Sequence, residues 1–149
     1  MANFKNQIEN CFSFLTKYGF DINIYPNMEE SLVAIFNCPS FGIRILQSGH
    51  SKDLHMELKT VKNTDKEKWI AFHWIVKYLS NNNEYETNFF RDEINYDIRI
   101  MYQIITLSEI LKVYIRSIID FFDLENYEKQ YEILHTYIIK NLKERGLLK

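Results

Sequence analysis

The residues of this chain that could do chemistry are few and scattered. Four histidines, His50, His55, His73 and His135, are the candidate bases and metal ligands. None sits in an HExxH pattern, which puts two imidazoles on one helical face, and no cysteine lies at zinc-finger spacing from any of them. His50 and His55 share a turn-and-strand stretch but lack a third ligand, so no metal site is expected. His73, between Phe72 and Trp74, reads as a core histidine with a backbone partner. Cys11 and Cys38 have neither metal nor redox spacing and no base beside them in sequence. Cys38, before Pro39, reads as a buried small residue, and both cysteines as reduced thiols. No GxSxG elbow or SxxK pair is present to activate a serine. The paired carboxylates Glu29-Glu30 and Asp92-Glu93 fall in a loop and near a helix start, where acids offset the helix macrodipole. Four glycines, widely separated, cannot build a phosphate loop. The expectation is therefore no catalytic residue, no cofactor and no metal.

The elements that must position any binding surface are easier to read. The 149 residues are expected to form one domain, 1–149, around a single core. A formal net charge of −2 argues against a broad basic field for nucleic acid. The first residues, MANFKNQIENCF, lack the continuous apolar run of a signal peptide. The most apolar stretch is interrupted by Glu109, Lys112, Arg116 and Asp120, and charges at such intervals are costly in lipid. A cytoplasmic protein with no membrane partner is expected.

The stretch from Ile94 to Phe122 organises the rest. Ile100, Ile104, Leu107, Leu111, Ile115, Ile118 and Phe122 recur at helical spacing, with a second row of Ile94, Ile98, Met101 and Ile105 beside them. The polar residues move from Arg99, Gln103 and Thr106 to Glu109, Lys112, Arg116, Asp120 and Asp123. Such a wandering wet side implies a central helix, roughly 40 Å long, covered by different neighbours along its length. Ser108, at the crossover, is the expected place for a kink.

Upstream, residues 3–17 read as a helix capped by Gly19. A four-stranded antiparallel meander then occupies 20–59: Phe20–Tyr25, Ser31–Asn37, Phe41–Gln47 and Asp53–Lys59. Ser48-Gly49-His50-Ser51 has glycine at the first central position of a two-residue hairpin. That turn sets Ile45 opposite Leu54, Ile43 opposite Met56 and Phe41 opposite Leu58. Helices fill 64–146. One spans Lys66–Leu79 behind a Thr64–Glu67 capping box, a short one lies within Glu84–Asp92, and the last runs from about Glu125 to Glu144. The fold class is α+β: a helix, a meander, then three or four helices with a long central one.

Ten tyrosines are many for a core, because a buried hydroxyl needs a partner. Tyr127, Tyr131 and Tyr137 have helix packing as their simplest explanation. The second sheet face would gather Tyr25, Val33, Ile35, Arg44, Leu46, His55 and Glu57. It is either covered by a helix or open to a partner. Of these residues, Tyr25, Arg44, His55 and Glu57 are the candidate partner-binding set.

The run Phe12-Ser13-Phe14-Leu15-Thr16-Lys17-Tyr18-Gly19-Phe20 and the short strands that follow, to Leu58, are similar to the opening of many small bacterial proteins. Several of those resemble immunity proteins encoded beside polymorphic toxins. The resemblance implies a small cytosolic binder without catalytic residues and transfers no site residue. The leading expectation is thus a non-enzymatic protein-binding module, an immunity protein that occludes a toxin encoded nearby, acting as monomer or homodimer. The alternatives are a ligand-binding or enzymatic domain with a pocket between the sheet and helix 66–79, near His73 and Tyr78, and a structural homo-oligomer subunit.

Overall fold

The computed structural model describes residues 4–25, 32–48, 52–61, 69–81 and 92–147. Four helices and one five-stranded antiparallel sheet make up the described residues, an α+β arrangement. In chain order they are α1 (Lys5–Phe12), a 3-10 turn (Ser13–Tyr18), β1 (Asp21–Ile24), β2 (Leu32–Asn37), β3 (Phe41–Gln47) and β4 (Leu54–Thr60). Then follow β5 (Ile70–Ala71), α2 (Phe72–Leu79), α3 (Tyr96–Phe121) and α4 (Tyr127–Glu144). The strands lie side by side in the order β1-β2-β3-β4-β5, a plain meander with two short edges.

The opening helix is shorter than its periodicity predicts, because it tightens into the 3-10 turn after Phe12. Gly19 ends that turn with φ 84°, and its N–H donates to the Thr16 carbonyl at 3.1 Å. A side chain there would touch nothing within 4 Å, so backbone conformation alone demands glycine. Gly19→Ala is expected to cost about 1 kcal/mol of stability, with no change in side-chain packing, as measured by urea unfolding.

On one sheet face Phe36, Ile43, Ile45, Met56 and Leu58 are buried, and the core they begin continues into α1 and α3. Phe12 stacks on Phe36 at 5.0 Å. The seven-residue row of α3 is buried as expected, from Ile100 to Ile118 within the helix and Phe122 just beyond it. The helix runs unbroken through Ser108, whose hydroxyl donates to the Ile105 carbonyl at 2.7 Å. Local back-bonding satisfies this buried hydroxyl without interrupting the helix.

Four expectations are corrected. First, the meander has five strands. Ile70-Ala71 pairs with Glu57 and Leu58, so α2 starts at Phe72 and not at Lys66. Two residues are too few to display a period, and the apolar run around them mimics a helix. The Thr64–Glu67 capping box, Gly49–Ser51 and residues 84–91 lie outside the described residues.

Second, the β3–β4 register differs by two residues: Ile45 pairs with Met56, Ile43 with Leu58 and Phe41 with Thr60. Ser48 donates its N–H to the Asp53 carbonyl, and Lys52 donates to that of Ser48, so the connection is longer than a two-residue turn. Lys52 closes it with φ 63°, a conformation that costs a non-glycine residue about 1 kcal/mol. A two-residue slip keeps every side chain on its face, which is why alternation could not detect it.

Third, Val33 belongs to the core. A bulge lies between Leu32 and Ala34, and Val33 is buried inside it. Fourth, the second row is only partly packed: Ile94, before α3, is 98% and Ile98 37% exposed and Met101 and Ile105 are half-buried, whereas Gln103 is 2% exposed. Asp53 and the Leu54 N–H, at the end of the β3–β4 hairpin, need polar partners, and that need outranks the burial of two isoleucines.

Candidate interaction face

A single row of side chains crosses the far side of the sheet. Asn23 on β1 pairs with Ile35 on β2, Ile35 with Arg44 on β3, Arg44 with Glu57 on β4, and Glu57 with Ala71 on β5. At the centre, Arg44 Nε donates to Glu57 Oε1 at 2.7 Å and Nη2 lies 2.6 Å from the same oxygen. The two side chains are 28% and 26% exposed. The face is therefore neither covered by core nor fully wet.

Trp69, immediately before β5, completes this centre. The Arg44 guanidinium lies 4.0 Å from the centroid of the Trp69 ring, and Lys59 Nζ lies 5.7 Å from it. Guanidinium over an indole face is a favourable cation–π geometry, and it fixes two otherwise mobile side chains. Salt-bridging, stacking and cross-strand pairing thus converge on Arg44.

Of the four residues proposed from sequence, Arg44 and Glu57 are brought into contact. His55 is exposed and pairs with Leu46, two residues along β4 from Glu57. Tyr25 is 41% exposed and follows the edge strand β1, bonded to Val33 through its N–H at 2.9 Å. It stands three strands from β4, roughly 14 Å across the sheet from His55. The set is a surface and not a cluster. Trp69 was missed because it was assigned to a core helix. In sequence Trp69, Ile70 and Ala71 are all apolar and show no alternation; only the structure separates half-exposed Trp69 and Ala71 from buried Ile70.

Arg99 and Gln103, expected on the wet side of the central helix with Thr106, instead join Tyr96 in a second polar group; the three, spaced by three and four residues, face the end of the β3–β4 hairpin. Gln103 Nε2 donates to Asp53 Oδ1 at 2.7 Å and its Oε1 accepts from the Leu54 N–H at 3.0 Å. Arg99 Nε lies 3.3 Å from the same Asp53 oxygen. Gln47 Nε2 donates to the Lys52 carbonyl at 3.1 Å and to the Tyr96 hydroxyl. Asp53, at 4% exposed, and Gln103 are too enclosed to meet a partner, so this group pins the helix to the hairpin.

Among the described residues no group of three or more histidines, cysteines or acids could hold a metal ion, and no helix is long and apolar enough to cross a membrane. Cys11 and Cys38 are not disulfide-bonded; Cys38 Sγ is 3.5 Å from Ser40 Oγ. Tyr78, near which a ligand pocket was considered, packs edge-on against Phe121 at 6.3 Å and Tyr137 at 5.4 Å. His73 lies beside Trp74 at 5.1 Å. Tyr127 and Tyr131 pack against each other at 5.7 Å.

The fold and site together describe an α+β protein with one sheet face committed to a helical core and the other carrying an ordered Arg-Glu-Trp centre. No family model, curated protein or solved structure matches the chain.

Proposed function

We propose that this chain is a non-enzymatic protein-binding module that covers a partner with the outer face of its sheet. The observation that carries the proposal is the Arg44–Glu57–Trp69 centre, with Arg44 held by a carboxylate at 2.6 Å and an indole at 4.0 Å. Trp and Arg dominate binding energy at interfaces, and their value rises when they are already ordered before contact. Ile35 and Leu46 supply apolar surface around this centre, and Tyr25 and His55 supply a polar-tipped rim. A module of this kind acts by occlusion and needs no chemistry of its own. We take it to be a cytoplasmic immunity protein that neutralises a toxin encoded beside it.

The test is binding to the purified products of adjacent genes. A neighbour is expected to bind, and Trp69→Ala is expected to weaken that binding by about 30-fold, which is the effect of losing about 2 kcal/mol at a hot spot. Arg44→Ala should weaken it comparably, while the circular dichroism spectrum is retained. Failure of every neighbouring product to bind, together with gene deletion that exposes no toxicity, overturns the proposal. Equal binding by both variants would relocate the surface.

A further inference from the structure

The β3–β4 hairpin is built in a register other than the one its turn sequence favours. Ser48-Gly49-His50-Ser51 has the chemistry of a two-residue turn, which would pair Arg44 with His55 and Leu46 with Asp53. The chain instead pairs Arg44 with Glu57 and Leu46 with His55, over a longer connection that places Lys52 at φ 63°. Both registers direct the same residues to the core, so hydrophobic burial does not choose between them. The choice must come from contacts that exist in only one.

Two such contacts are visible. Arg44 meets Glu57 at 2.6 Å, and Gln103 grips the start of β4 through the Asp53 carboxylate at 2.7 Å and the Leu54 N–H at 3.0 Å. Gln47 adds to the second by donating to the Lys52 carbonyl at 3.1 Å. In the slipped register Asp53 would become a strand residue opposite Leu46, on the side of His55 and Glu57 and away from α3. The helix contact and the slipped pairing therefore exclude each other. Asp53 and Gln103 are 4% and 2% exposed, so the contact is shielded from competing water.

We propose that Gln103, reaching from the central helix to Asp53 and Leu54, is a register lock that holds the hairpin two residues away from the pairing its own turn sequence prefers. The lock sets which residue Arg44 faces. In the slipped register the guanidinium meets His55 in place of Glu57, and the ordered centre of the outer face is lost. The lock stands apart from any partner the face binds.

The experiment is NMR of the full chain, following cross-strand contacts of Arg44. Wild type is expected to show one set, with Arg44 next to Glu57. Gln103→Leu is expected to add a second set, with Arg44 next to His55, at about a tenth or more of the total intensity. Adding Lys52→Gly, which relieves the left-handed residue of the observed connection, is expected to shrink that second set. Should Gln103→Leu not fold, Asp53→Ala is read in the same way, since it removes the carboxylate that Gln103 grips. A single set with Arg44 next to Glu57 in every folded variant, Asp53→Ala included, overturns the lock.

Discussion

Phe122→Ala is expected to lower the stability of this protein by about 4 kcal/mol, the largest loss from any single truncation discussed. Phe122 is 0% exposed and sits between two parallel rings, Phe41 at 4.5 Å and Tyr127 at 5.5 Å. Phe121 meets it edge-on at 5.0 Å. These rings come from β3, from the end of α3 and from the start of α4, so one side chain joins three elements. Truncation leaves a void whose walls are other aromatic rings, anchored to separate backbones and poorly able to collapse. Urea unfolding should show a lower midpoint with an unchanged slope. A loss under about 1.5 kcal/mol would mean that α4 closes over the gap, and that the junction is softer than its stacked geometry indicates.

Asp53→Ala is expected to cost about 3 kcal/mol, for a different reason. No large void forms. The Gln103 amide loses the carboxylate that accepts from it, and Arg99, 19% exposed at its side chain, loses the anion beside it. Breaking one member of a buried polar group costs more than the group contributes as a whole, because the remaining members stay desolvated. Replacing Asp53, Gln103 and Arg99 together by apolar residues should accordingly cost less than the sum of the single changes, by chemical denaturation. Strict additivity would show that the three side chains act independently.

What was legible in the sequence follows from the range over which each signal acts. The row from Ile100 to Phe122 was legible because a helix repeats its demand every turn and seven residues answer it. The strand faces of β3 and β4 were legible because Ile43, Ile45, Met56 and Leu58 alternate. Gly19 was legible because a left-handed residue has a strong local preference. By contrast, the roles of Arg99 and Gln103 depend on Asp53, about fifty positions away, and no local pattern reports that. The same holds for Trp69, whose partner Arg44 lies on another strand. Arg44 and Glu57 were picked from their shared sheet face and do meet. Tyr25 and His55 were picked on the same ground and stand apart, because a face is broader than a site.

The shortness of the outermost strands bears on how this protein can be recognised. Among the described residues β5 is two residues long and β1 four, too little free ladder to template another chain end to end. Backbone-to-backbone docking is nearly blind to side-chain identity, so a protein using it inherits loose selectivity and a tendency to coaggregate. With that route curtailed, the binding proposed above would fall to individual side chains on the broad surface, each replaceable by one codon change without disturbing the scaffold beneath. Such a surface could be retuned in small steps if the proposed partner diverged.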